Sequence, residues 1–76
     1  MSIEMDVTRQ IIDEKINEGG SFLFKRLEDE IIQQGGADRV SSDVTVKQYL
    51  VFLTYIEILK YNPFTEEYAV MKSKRN

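Results

Sequence analysis

Adjacent carboxylates are the residues in this chain whose type could support acid–base chemistry. Asp13 precedes Glu14, and Glu28 precedes Asp29. Both pairs lie in segments predicted below to be helical, where neighbouring side chains do not face one another. The sequence contains no histidine and no cysteine, so the usual general base, the usual metal ligand and a thiol nucleophile are missing. We therefore expect a protein that is not an enzyme and that needs no cofactor and no metal.

A glycine turn offers a different chemistry. At Gly19-Gly20-Ser21, backbone amides before a helix could bind an anion. Two consecutive glycines are equally typical of the end of the preceding helix. Ser21 could cap the second helix, or residues 21–23 could form a short strand leading into it, and the sequence leaves both possibilities open.

Charge is distributed unevenly along the chain. The net charge is −3, with 13 acidic and 10 basic residues. Three of the basic residues, Lys72, Lys74 and Arg75, lie in the last five positions, so residues 1–71 carry a net charge of −6. A nucleic-acid-binding domain normally has a basic patch. The sequence thus favours phosphate contacts only in the short basic tail, residues 72–76.

The elements that must position any site begin with two amphipathic helices. Isoleucine and valine recur at helical spacing among charged residues in the first eighteen positions. Leu23, Leu27 and Ile31 are four apart and predict a second helix, which Gly35 and Gly36 should end. We interpret residues 35–43, rich in glycine, serine and aspartate, as a loop.

A third helix is predicted to begin at Thr45. Thr45 and Gln48 have the spacing of a capping box, in which each side chain bonds the other residue's backbone N–H. Beyond the cap, apolar residues at spacings of three and four predict a buried face. That face comprises Val46, Tyr49, Leu50, Leu53, Ile56 and Glu57.

The opposite face of the third helix is also largely apolar. Val51, Phe52, Tyr55 and Ile58 are interleaved with only a few polar residues. A helix that is apolar nearly all round is either central to the core or covers its second face with a partner. We expect Phe52 to fill the core or a seam between two copies of the chain.

A β-hairpin is predicted to follow the third helix. Asn62-Pro63 is typical of a type I turn. Tyr61 before the turn and Tyr68 after it belong to arms with alternating apolar residues, so one face of the ribbon should pack on the helices. Tyr61, like Phe52, is expected to be in the core or in a seam. Phe64 at the turn is hard to bury in so small a chain.

Length and composition predict one small domain. The chain has 76 residues, 42% of them hydrophobic, and we expect a single α+β domain over residues 1–76, with three helices and a C-terminal β-hairpin. Such a domain often gains stability by pairing, so a homodimer is expected. The longest apolar run, Tyr49 to Leu53, is far short of the roughly 20 residues that span a bilayer. With no signal-peptide pattern, we predict a cytoplasmic protein with no membrane partner.

The order of predicted elements resembles the winged-helix family. The similarity is concentrated in residues 44–71, where TVKQYLVFLTYIEILKYNPFTEEYAV is similar to the family's third helix and wing. The resemblance implies a homodimeric transcriptional regulator that binds double-stranded DNA, with the third helix in the major groove. The implied DNA contacts are Thr45, Lys47, Gln48, Lys72, Lys74 and Arg75.

Two departures from the family pattern support an alternative function. Glu66 and Glu67 lie at or beside the wing tip, where they would repel phosphate, and the connection between the second and third helices is about twice the length of a tight helix-turn-helix. The alternative is a protein–protein interaction module or small inhibitor that binds no nucleic acid. Its expected interface residues are Val51, Tyr55 and Phe64.

Overall fold

The computed structural model describes residues 3–71. Three helices and two small antiparallel sheets make this part of the chain an α+β domain, which confirms the predicted fold class. The elements in chain order are α1 (Ile3–Glu18), β1 (Ser21–Leu23), α2 (Phe24–Gln33), β2 (Arg39–Ser41), β3 (Val44–Thr45), α3 (Val46–Tyr55), β4 (Leu59–Asn62) and β5 (Glu67–Val70).

The larger sheet has three antiparallel strands in the order β1-β5-β4. Strands β4 and β5 form the predicted hairpin, with Tyr61 opposite Tyr68. Strand β1 pairs with the other edge of β5, with Phe22 opposite Tyr68. The three rings therefore form a row across one face of the sheet. The ring centroids of Phe22 and Tyr68 are 5.8 Å apart, and those of Tyr61 and Tyr68 are 4.8 Å apart.

The hairpin turns at Asn62-Pro63, as predicted. The Asn62 side-chain oxygen accepts a hydrogen bond from the Phe64 amide at 2.9 Å, and the Asn62 carbonyl accepts one from the Glu66 amide at 2.7 Å. Glu66 has a positive φ of 62°, a conformation that favours glycine. The turn is thus closed by the side chain and the carbonyl of Asn62.

The first two helices end at the predicted glycines. Gly19 and Gly35 have φ values of 80° and 81°, which are left-handed conformations typical of a helix end. Residues 21–23 form β1, so the strand is the correct one of the two possibilities for Ser21. Leu23 ends this strand and also precedes α2 as its N-cap residue, with no side-chain cap hydrogen bond.

The prediction of a loop over residues 35–43 is wrong in its second half. Strands β2 and β3 form a separate two-stranded antiparallel sheet, in which Arg39 pairs with Thr45 and Ser41 with Val44. Val40 is buried in the core. A single apolar residue between two polar ones is too short a pattern to predict a strand, and packing of Val40 against the core supplies what the pattern lacks.

The core lies between the three helices, the inner face of the larger sheet and Val40. Leu27, Leu50 and Leu59 are almost completely buried at its centre. An ion pair of 2.8 Å joins the two helices α1 and α2, between the Lys15 Nζ and a Glu30 carboxylate oxygen. The buried hydrophobic residues are Ile11, Ile12, Leu27, Ile31, Val40, Val46, Leu50, Leu53, Leu59 and Tyr68.

A polar contact fastens the segment after α2 to α1. The Thr8 hydroxyl is fully buried; it donates to the Ala37 carbonyl and accepts from the Ala37 amide, both at 2.7 Å. Gly36 lies against the same place, since a Cβ on it would be 2.7 Å from Thr8 Oγ1 and 2.6 Å from Ile31 Cγ2. The close approach of these segments therefore requires glycine at position 36.

Candidate interaction surface

The start of α3 has the predicted capping box. The Thr45 Oγ1 accepts from the Gln48 amide at 3.1 Å, and the Gln48 Oε1 accepts from the Thr45 amide at 2.9 Å. These bonds satisfy two amides at the helix start. The side-chain oxygens of both residues are thus engaged within the chain, although both were predicted to contact DNA.

Helix α3 buries one face and leaves the other exposed. Val46, Leu50 and Leu53 are buried, as predicted. The exposed side, called the α3 outer face here, begins with Lys47 and continues into large apolar side chains. It consists of Lys47, Gln48, Val51, Phe52 and Tyr55, of which the last three are 54%, 53% and 84% exposed.

The prediction that Ile56 and Glu57 continue the buried face is wrong, because α3 ends at Tyr55. The Ile58 amide bonds the Leu53 carbonyl and the Glu57 amide bonds the Thr54 carbonyl, the pattern of a Schellman motif. Glu57 occupies the left-handed position of that motif, with a φ of 68°. The chain therefore leaves the helical path, and Ile56 is exposed beside the α3 outer face. No glycine at the helix end signalled this in the sequence.

Two cations lie over aromatic rings near the start of α3. The Lys47 Nζ is 5.3 Å from the centroid of the Phe24 ring, and the Arg9 guanidinium carbon is 5.9 Å from that of Tyr49. These distances are within the range of cation–π attraction. Lys47 is exposed, but its ammonium group already has a favourable contact inside the chain.

The tip of the β4–β5 hairpin carries an exposed aromatic ring. Phe64 is 94% exposed, in agreement with the expectation that this chain is too small to bury it. Acidic side chains follow it at Glu66 and Glu67, and the Thr65 hydroxyl donates to a Glu67 carboxylate oxygen at 3.2 Å. The tip, residues 63–66, therefore combines an apolar ring with acidic neighbours.

Phe52 and Tyr61 do not belong to the core of the single chain. Phe52 lies on the α3 outer face. Tyr61 is exposed on strand β4, where its ring contacts that of Tyr68. The prediction that these two rings fill the core is wrong. Helix α3 turns Phe52 away from the buried face, and β4 lies at the edge of its sheet. The alternative expectation, that the two rings lie in a seam between two copies, involves a second chain and stays a prediction.

In the part of the chain that the structure describes, two side chains have shifted pKa values, and both lie in the scaffold rather than on the exposed surfaces. The hydrogen bond to Glu30 raises the pKa of the Lys15 ammonium above its usual value. Burial raises the pKa of the Tyr68 phenol, with a smaller contribution from Tyr61. Neither shift indicates a catalytic group, since each has a structural cause.

Within residues 3–71, no group of three or more acidic side chains could hold a metal ion. No helix in that part of the chain is long and apolar enough to cross a membrane. The predicted phosphate contacts Lys72, Lys74 and Arg75 lie outside the described residues. Comparison of the chain with protein-family models, curated proteins and solved structures finds no match.

Proposed function

We propose that this chain is a small protein-interaction domain that contacts its partners through the α3 outer face and the hairpin tip. The α3 outer face carries the proposal, because Val51, Phe52 and Tyr55 are large apolar side chains exposed side by side. A contiguous exposed apolar patch marks an interaction site more often than an accident of folding. Aromatic side chains are also the residues that most often anchor protein interfaces.

The polar groups around this patch support protein rather than nucleic acid as the partner. The side-chain oxygens of Thr45 and Gln48 bond the backbone of the helix start. Proteins recognise base edges through polar side-chain atoms. The α3 outer face offers few of them, since Lys47 is its one charged residue. At the hairpin tip, Glu66 would repel a phosphate backbone.

Binding to duplex DNA is the second candidate function, and the order of the elements favours it. A third helix that leads into a β-hairpin is the arrangement that a winged-helix domain would have. Membership of that family, the homodimeric regulator it implies and a cytoplasmic location are part of this proposal. In that case Lys47 would approach the major groove, and the basic tail, residues 72–76, would contact phosphates.

Site-specific cross-linking tests the main proposal. A photoreactive amino acid replaces Tyr55, or, as a control, the exposed Lys25 of α2, and the full chain is irradiated in cells of its source. We expect a protein adduct from position 55 and not from position 25. Equal adducts from both positions, or none from position 55, would contradict a partner surface on α3.

DNA binding is measured in parallel at about 50 mM and 200 mM salt, because phosphate contacts make affinity steeply salt-dependent. We expect no salt-dependent complex with mixed-sequence duplex. A complex that weakens steeply between the two conditions, and weakens further in Lys47→Gln, would support the second candidate instead.

A further inference from the structure

Strand β1 lies at one edge of the larger sheet, whose order is β1-β5-β4. Between β5 and β1, the Val70 amide donates to the Gly20 carbonyl. Hydrogen-bonded positions alternate along an antiparallel ladder, so the backbone groups of Phe22 also face β5. Those of Ser21 and Leu23 face the free edge, where the described part of the chain places no further strand.

Three of these backbone groups can pair with an added strand. They are the amide and the carbonyl of Ser21 and the amide of Leu23. The Leu23 carbonyl differs, because Leu23 is the N-cap residue of α2, and a cap carbonyl accepts the first hydrogen bond of its helix. Ser21 and Leu23 are both exposed. A row of free donors and acceptors of this kind is a template for another strand.

A polar groove of about 880 Å³ lies beside the β1 edge. Its walls are β1 and Glu67 of the sheet, Lys15 of α1, and α2 residues that include Arg26 and Asp29. An added strand would lie about 4.8 Å from β1, within this groove. An extended polypeptide is the ligand that matches the edge, because its backbone repeats donors and acceptors at the spacing of a strand.

The connection between β1 and α2 argues against a second copy of the chain in the groove. Leu23 continues directly into Phe24 of α2, and α2 lines the groove. The β1 strand of a second copy would therefore bring its own α2 into the same space. An extended segment of a partner protein, without an attached helix, has no such obstacle.

The side chains at the edge favour a basic residue in that segment. Leu23 lies opposite Glu67 in the register of β1 and β5, so the two side chains are neighbours on one face of the sheet. Leu23 is 36% exposed, and one Glu67 carboxylate oxygen accepts from the Thr65 hydroxyl. A lysine opposite Leu23 would lay its apolar stem on Leu23 and direct its ammonium group to the other Glu67 oxygen.

We propose that the free edge of β1 binds an extended segment of a partner protein as an additional antiparallel strand, with a lysine or arginine of the segment opposite Leu23. The site consists of β1, Glu67 and the groove side of α2. It goes beyond the proposed function, since the α3 outer face contributes no residue to it. Cross-linking from position 55 reports on the α3 outer face alone, so the two proposals fail independently.

Amide hydrogen exchange of the full chain, followed by NMR, tests the strand pairing. The probe is the peptide acetyl-Thr-Val-Lys-Val-Thr-amide, added until its chemical-shift changes saturate. In the free chain we expect fast exchange at the Ser21 and Leu23 amides and slow exchange at that of Phe22. The probe should slow exchange at Ser21 and Leu23.

Two results of this experiment overturn the proposal. One is exchange at Ser21 and Leu23 that the probe does not slow. The other is slow exchange at these amides in the free chain, which would show that a second copy or the chain's own tail already occupies the edge.

Two isomeric probes give a matched control for the backbone contacts. N-methylation of the last threonine removes the donor that faces the Ser21 carbonyl, whereas N-methylation of the valine before it alters an amide that points away from β1. The first change should weaken binding at least about fivefold, the effect of one lost backbone hydrogen bond, and the second should not. Equal affinities of the two isomers overturn the strand pairing.

A probe with glutamate in place of lysine tests the contact with Glu67. We expect it to bind about threefold more weakly, as for an exposed ion pair. Glu67→Gln should abolish this difference, and Asp13→Asn on α1, which changes the charge equally, should retain it. Equal binding of the two probes to the wild-type chain overturns the choice of a basic residue, as does a preference that survives in Glu67→Gln.

Discussion

Thr8 and Ala37 are 29 positions apart, and two hydrogen bonds of 2.7 Å join them. One hydroxyl satisfies both the amide and the carbonyl of Ala37. The contact holds the start of the β2–β3 segment on α1, and that segment leads directly into α3. The placement of the α3 outer face therefore depends on a polar contact between α1 and the segment that leads into α3.

Replacing Thr8 with valine should destabilise the fold by about 2 kcal/mol, because it removes the partner of both Ala37 backbone groups while keeping the shape of the side chain. Urea unfolding of the two chains measures the difference. Thr8→Ser is the matched control: it keeps the hydroxyl and loses one methyl group, which is worth about 0.8 kcal/mol. A valine variant no less stable than the serine variant would show that these hydrogen bonds contribute little.

Gly36→Ala should cost about 1–3 kcal/mol, the range for overpacking a filled site. The added Cβ would lie 2.6 Å from Ile31 Cγ2 and 2.7 Å from Thr8 Oγ1, so α1 and α2 must shift to admit it. Gly20→Ala is the control, since a Cβ there meets nothing within 4 Å and only the positive φ opposes it. Thermal unfolding measures both losses, and a Gly36→Ala chain as stable as the wild type would argue against a steric requirement at position 36.

Glu66→Gly should stabilise the chain by about 0.5–1 kcal/mol. Glu66 is exposed and has a φ of 62°, where a Cβ costs roughly 1–2 kcal/mol and glycine has no such penalty. Part of the gain is offset because glycine loses more backbone entropy on folding. Thr65→Gly in the same turn serves as the control and should only destabilise. A Glu66→Gly chain that unfolds at lower urea than the wild type would contradict the prediction.

Stability should fall above about pH 10, and Tyr68→Phe should make that fall shallower. Burial raises the pKa of the Tyr68 phenol in the folded chain above its ordinary value of 10.0. The folded state then holds this proton more tightly than the unfolded state, so the stabilisation is complete below the unfolded pKa and is lost as the pH rises through the folded pKa. Lys15, whose pKa is also raised, contributes with the same sign.

The measurement is urea unfolding at about pH 9 and about pH 11, on either side of the ordinary tyrosine pKa. Phenylalanine keeps the ring packed between Phe22 and Tyr61 but carries no ionisable group. If Tyr68→Phe loses as much stability between the two pH values as the wild type, the buried phenol is not responsible for the alkaline loss.

The features predicted correctly from the sequence are those determined by neighbouring residues. The Thr45–Gln48 capping box and the Asn62-Pro63 turn each depend on a few consecutive side chains, so their spacing was sufficient. Helical periodicity also placed Val51 and Tyr55 opposite the buried residues of α3, but it left open whether that second apolar face is buried in the core or exposed for a partner.

The features that were missed depend on distant contacts. Val40 becomes part of a strand because the core covers it, and the Thr8–Ala37 contact joins segments with no common pattern. The exposure of Ile56 depends on a left-handed residue at Glu57, where the sequence has no glycine to indicate a helix end. The choice between a core and an exposed position for Phe52 likewise required the helix to be placed on its neighbours.

Strand β1 passes into α2 without an intervening residue, since Leu23 is the last residue of the strand and Phe24 the first of the helix. The same strand pairs with β5 of the hairpin, and the Val70 amide donates to the carbonyl of Gly20, the residue before β1. A force applied at Phe64 would thus travel along β5, across to β1 and into the first turn of α2, with no flexible linker to absorb it. The hairpin is therefore rigidly connected to the helices. A protein bound at its tip would fix the orientation of the whole domain.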